Sequence, residues 1–209
     1  MNTELEKIEA IKVVPVVAIN NAADAVPLAE ALVEGGLPCA EVTFRTDAAL
    51  ESMKAMAKFG KIQLGAGTVS KVEQVKAAVD AGCTFMVSPG FNPKVVDYCV
   101  SNGIPICPGI TSPTDIEMAL DFDLEVLKFF PAEAFGGLNT LKALSAPYGG
   151  IKFIPTGGIN EKNLLDYLRS PKVLACGGSW MVKSELIADK KFNDILTMTK
   201  QAVELADSI

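Results

Sequence analysis

The chain contains no histidine in 209 residues. That absence removes the side chain that most often acts as a base near neutral pH, the commonest zinc ligand, and every triad built on imidazole. Any chemistry must run on Lys, Glu, Asp, Cys, Ser or Thr. Arginine is almost as scarce, with only Arg45 and Arg169. Bases total 19 against 25 acids, and the net charge of -6 repels a phosphate backbone, which argues against nucleic-acid binding. The five cysteines, Cys39, Cys83, Cys99, Cys107 and Cys176, are odd in number and form no CxxC pair, so they read as buried, reduced thiols. No stretch offers the ~18 consecutive apolar residues of a membrane span. The opening MNTELEKIEAIK mixes charged with apolar residues and lacks the apolar core of a secretory signal. A soluble cytoplasmic protein is the expectation. Nucleotide fingerprints are missing too: Gly65 and Gly67 are followed by Ser70 where a third glycine would be needed, and GxxxxGK does not occur.

What is present is a regular alternation. The chain is 49% hydrophobic, enough for a real core, which excludes disorder. Eight short apolar runs start at residues 13, 39, 62, 84, 104, 125, 152 and 173, each 20 to 27 residues from the next. That spacing is close to the smallest unit holding a strand, a crossover helix and two loops. Between the runs, Val26, Ala29 and Val33, and then Val72, Val75 and Val79, recur at helical spacing. Gly36, Gly82 and Gly103 stand where three successive helices should stop. Pro89, Pro108 and Pro131 mark the ends of three strands. An open, doubly wound sheet shares this pattern, but eight units in so short a chain favour an α/β fold of the compact (β/α)8 TIM-barrel type. A single domain over 1–209 is expected, with a short helix at about 3–11.

Barrel active sites lie at the C-terminal ends of the strands, so polar residues there are the candidates. Lys128 sits inside LEVLKFFPAE with apolar neighbours on both sides. Taking an ammonium out of water favours the neutral amine, a nucleophile for carbonyls. The competing reading is a lysine at a strand end whose head reaches solvent. In the second run, alternation puts Glu41, Thr43 and Arg45 on one face and Ala40, Val42 and Phe44 on the other. The apolar face should meet the helices and the polar face the barrel interior. There the guanidinium suits a substrate carboxylate, unless Glu41 and Arg45 merely pair with each other. Lys128 and Phe130 share a face, and Thr68 ends a GAGT run as a hydroxyl at the rim. Thr156, Gly157, Gly158 and then Gly177, Gly178, Ser179 follow the last two runs, the recurrent phosphate position of barrels, although tight turns also need glycine. Trp180 reads as packing.

EVTFR, GAGTV, SPG, KFFPAE, PTGGI and GGSW occur in one order along nearly the whole chain. In this the sequence resembles the 2-keto-3-deoxy-6-phosphogluconate (KDPG) and 4-hydroxy-2-oxoglutarate (KHG) aldolases, a Schiff-base barrel family. The resemblance implies Lys128 as the imine-forming residue, Glu41 as acid and base, and Arg45 and Thr68 as partners of a pyruvyl carboxylate. It places Pro89 and Phe130 at the pocket wall, and Thr156, Gly157, Gly158 and Ser179 on the aldehyde-phosphate side, with Gly178 in the same loop. It implies a small 2-keto acid substrate, no cofactor, no metal and a homotrimer. Two positions depart from the pattern: Asn20 replaces a Lys or Arg that many relatives carry after the first run, and Lys183 stands where a proline is common. Two other activities fit the same residues, a Schiff-base lyase on another 2-keto sugar acid and a non-catalytic anion-binding barrel.

Overall fold

The computed structural model describes residues 3–209. Strands β1 (Val13–Val17), β2 (Cys39–Thr43), β3 (Gln63–Gly67), β4 (Phe85–Val87) and β5 (Ile106–Cys107) form one sheet with β9 (Cys176–Gly178) beside β1, and β6 (Gly109–Ile110), β7 (Val126–Phe129) and β8 (Lys152–Pro155) form a second. All pairings are parallel. The fifth run supplies both β5 and β6. Pro108 does not end that strand but interrupts it, and its carbonyl accepts a hydrogen bond from the backbone N–H of Lys128 at 2.9 Å. Bridges from Phe153 to Val173 and from Thr156 to Gly177 join the two sheets at the other seam. The ring is thereby a barrel of eight staves.

Helices α2 (Ala25–Glu34), α3 (Ala49–Phe59), α4 (Val72–Asp80), α5 (Pro93–Ser101), α6 (Pro113–Leu120), α7 (Gly137–Ser145) and α8 (Leu164–Leu168) make the crossovers, and α9 (Ser184–Ala188) and α10 (Phe192–Ala206) follow β9. Their starts are written locally. Ser112 accepts from the N–H of Asp115 while the Asp115 carboxylate accepts from the N–H of Ser112, with Pro113 in the first turn of α6. Gly36, Gly82 and Gly103 follow α2, α4 and α5 with positive φ, as their placement in the sequence predicts. The buried stripes are rotated from the expected ones: in α2 they are Leu28, Ala29 and Leu32, with Val26 and Val33 half-buried, and in α4 Val79 is exposed in the last turn. None of the helices among the described residues is long and apolar enough to cross a membrane.

The strands bury both faces, in two separate cores. Ala40, Val42, Leu127 and Phe129 point outward against the helices. Cys39, Phe85, Cys107, Val126 and Ile154 point inward, where they meet Leu5 and Ile8 of α1 (Thr3–Ile11). This helix closes the N-terminal end of the barrel, and burial of Ile8 alone stabilises that closure by about 1.5–3 kcal/mol. At this end Gln63 and Lys152 bond to Glu4 and Glu9 of the helix, and Glu41 and Lys128 lie toward the opposite end.

Candidate active site

Alternation along β2 places Glu41 and Thr43 on the inward face, and alternation along β7 does the same for Lys128. Glu41 is 3% exposed and Lys128 5%. The Lys128 Nζ donates to Glu41 Oε1 at 3.3 Å, so the acid's partner is Lys128 and not Arg45. That distance exceeds the ~2.8 Å of a tight charge-assisted hydrogen bond. Two buried charges are costly unless paired, and removing one strands the other. The arrangement puts a proton acceptor within reach of an amine in dry surroundings. Glycine makes room for it: a methyl on Gly67 of β3 would stand 2.3 Å from Glu41 Oε1, and one on Gly65 would stand 2.1 Å from the ring of Phe85. The GAGT run is therefore occupied by neighbouring side chains, which its sequence did not reveal.

Beneath the pair lies an apolar cavity of about 10 Å³ lined by Ile8, Val14, Phe85, Val87, Cys107 and Ile154. Above it, at the C-terminal mouth, a cleft of about 150 Å³ is lined by Val16, Arg45, Phe130, Thr156, Gly157, Gly158, Ile159, Gly177, Gly178 and Ser179. Thr156 borders both spaces. The Phe130 ring centre lies 5.0 Å from Lys128 Nζ. Lys128 thus sits one layer below the cleft floor, between Phe130 and Thr156. Arg45 is exposed at the lip and makes no ion pair among the described residues.

The far wall is made of backbone. The carbonyls of Thr156 and Gly157 accept from the N–H groups of Ala132 and Glu133 at 2.8 and 3.1 Å. The carbonyl of Gly158 accepts from the side-chain amides of Asn160 and Asn163 at 2.9 and 3.1 Å. These three acceptors are held by groups outside the cleft, which suits that wall to an anion. The Glu133 carboxylate accepts in turn from the buried Tyr167 hydroxyl. Gly177 is required because a methyl there would lie 2.3 Å from Thr156 Oγ1, and Gly178 because Trp180 packs against it, which makes the tryptophan a packing residue.

Of the residues expected at the site, Arg45, Phe130, Thr156, Gly157, Gly158, Gly178 and Ser179 line one cleft, with Glu41 and Lys128 beneath it. Thr68 and Pro89 do not line it. Thr68 follows β3 with φ +58°, uncommon for a β-branched residue. Pro89 borders a separate depression with Phe91 and Asp115, although its carbonyl presses on Gly109, the register partner of Lys128. Asn20 and Lys183 are exposed, and Lys183 has φ -57°, the value a proline would take. Val16 and Ile159 line the cleft without having been expected there, whereas Gly177 lines it as its place in the last glycine turn predicts. All five cysteines are free and buried, and burial pushes the Cys83, Cys99 and Cys107 thiols up to about 12, so they stay protonated near neutral pH. No group of three or more Cys, Asp or Glu among the described residues is gathered as a metal site requires.

A family profile for aldolases of the KDPG and KHG type matches residues 5–198. The chain is 49% identical over 206 residues to the 2-dehydro-3-deoxy-phosphogluconate aldolase of Treponema pallidum (strain Nichols), covering 98% of each. It is 38% identical over 193 residues to the KHG/KDPG aldolase of Escherichia coli (strain K12), covering 92% of this chain and 91% of the other. Among solved structures, KDPG aldolase from Legionella pneumophila, with pyruvate captured at low pH as a covalent carbinolamine intermediate, matches with a TM-score of 0.92 at 37% identity over 96% of this chain and 98% of that one. A profile spanning most of the chain, and relatives of this similarity along nearly all of it, make the protein a member of the KDPG and KHG aldolase family, class I lyases.

Proposed function

We propose that the protein cleaves KDPG to pyruvate and glyceraldehyde 3-phosphate, and KHG to pyruvate and glyoxylate, with Lys128 as the nucleophile and Glu41 as the proton carrier. The observation that carries this reading is the buried Lys128–Glu41 contact of 3.3 Å directly below a cleft with a cation at one lip and glycine turns opposite. Glu41 takes a proton from Lys128, and the neutral amine adds to the C2 ketone. Glu41 returns that proton to the carbinolamine hydroxyl, which leaves as water to give an iminium and a carboxylate again free to accept. Glu41, relayed by one water, accepts the C4 hydroxyl proton. The C4–O pair becomes the aldehyde carbonyl, the C3–C4 bond breaks, and its electrons pass through C2 to nitrogen as an enamine. Glu41 returns its proton to C3 to make the methyl group of pyruvate, and water hydrolyses the iminium to free the ketone and Lys128. Arg45 holds the C1 carboxylate; the family likeness assigns Thr68 and Pro89 to the same end of the substrate, although neither lines the cleft. Thr156, Gly157, Gly158, Gly178 and Ser179 receive the far anion, phosphate or carboxylate. A homotrimer in the cytoplasm belongs to the same proposal, supported by the family likeness for its assembly.

The test is borohydride reduction in the presence of pyruvate, followed by peptide mapping. A reduced pyruvyl adduct on Lys128 is expected; an unmodified Lys128 in an enzyme that still cleaves KDPG overturns the imine route. Cleavage rates on KDPG and KHG, measured side by side, decide which substrate is preferred.

A further inference from the structure

The inward face of β2 and the turn after it carry three polar residues, Glu41, Thr43 and Arg45, and the proposed reaction uses the two outer ones. Thr43 stands between Glu41 and Arg45 and is 1% exposed. Its hydroxyl donates to the carbonyl of Val17, at the end of β1, at 2.8 Å. The same oxygen accepts from Arg45 Nε at 2.9 Å. A hydroxyl has one hydrogen and two lone pairs, so donation to a rigid strand carbonyl fixes its rotor and aims the lone pairs. The backbone tightens the link, because the Arg45 N–H donates to the Thr43 carbonyl at 2.8 Å. One residue further on, the Thr46 hydroxyl donates to the Ile19 carbonyl, a second rung tying this turn to β1.

Arg45 is otherwise exposed and forms no ion pair among the described residues, so Thr43 is the side chain that holds its guanidinium. A free arginine head samples many rotamers, and each binding event must halt that motion. We propose that Thr43 is a positioning residue for the substrate carboxylate. By occupying Nε it orients the guanidinium with its two terminal nitrogens toward the cleft, so that the carboxylate is met end-on by that pair. The proposal rests on the reading of Arg45 as the carboxylate's partner.

The experiment measures borohydride trapping at Lys128 as a function of ketone concentration, with pyruvate and with acetone, which has no carboxylate. Thr43→Val is expected to raise the pyruvate concentration for half-maximal trapping about tenfold, in line with a lost hydrogen bond to a charged group, and to leave acetone trapping unchanged. Thr43→Ser, which restores the hydroxyl, is expected to return pyruvate to the wild-type value. In an Arg45→Met background the Thr43→Val change is expected to add nothing, since its partner is gone. Thr43→Ala carries the same measurement should the valine variant not fold. Equal weakening of pyruvate and acetone, or an Arg45→Met variant weakened for pyruvate while Thr43→Val is not, overturns the proposal. An Arg45→Met variant that binds pyruvate normally overturns the reading of Arg45 itself.

Discussion

The two walls of the cleft are built from different parts of the chain. On one side, β2 with the turn after it and β7 project Glu41, Arg45 and Lys128, whose charged heads are held by neighbours: a hydroxyl for the guanidinium, a carboxylate for the amine. On the other, the turn after β8 presents the carbonyls of Thr156, Gly157 and Gly158, tied back by Ala132, Glu133, Asn160 and Asn163, beside the glycines that end β9. The first wall changes chemistry when a side chain changes. The second changes shape when any side chain is added. Bond-making should therefore depend on the first, and discrimination between a phosphate and a shorter acid on the second.

The largest effect should come from the reactive wall. Glu41→Gln is expected to lower kcat by about 10²- to 10⁴-fold, the usual contribution of a positioned proton carrier, while the reduced pyruvyl adduct on Lys128 still forms. Turnover at the wild-type rate would erase the distinction between the walls. A smaller and more selective effect is expected from Gly177→Ala, whose methyl would be driven toward Thr156 Oγ1. KM for KDPG should rise about tenfold, equivalent to about 1.4 kcal/mol, with KHG affected less. Equal losses on both substrates would show that this wall does not read the far anion. Tyr167→Phe should be mildest in activity. Removing the hydroxyl leaves the Glu133 carboxylate short of a donor, which should cost about 1–3 kcal/mol in a denaturant titration and shift KM for KDPG only a few-fold. An unchanged unfolding midpoint would mean that the buttress behind the turn is not needed.

The same contrast explains what could be read in advance. The eight staves are legible because each is a short apolar run at nearly constant spacing, and the inward placement of Glu41 and Lys128 follows from alternation alone. Their mutual pairing does not, since it joins residues on β2 and β7 that only closure of the ring brings together; the sequence suggests the local partner Arg45 instead. Thr43 was visible on the right face, but a hydroxyl between two charged residues gives no sign of which it serves. The glycines were hardest. Gly65, Gly67 and Gly177 look like loop punctuation, yet each is a space filled by a named neighbour, Phe85, Glu41 and Thr156. Pro108 misled in the opposite direction, since a proline tolerated at a break between two short strands is indistinguishable in sequence from one that ends a strand.

The helix that stoppers the barrel has a bearing on traffic. With Leu5 and Ile8 sealing one end, the barrel of the described residues opens at the other, so a molecule held deep within it should wait for whatever stands nearer the exit. On the proposed mechanism the aldehyde fragment, cut loose at the threshold, should leave first, and the keto acid held by the lysine below should follow it out.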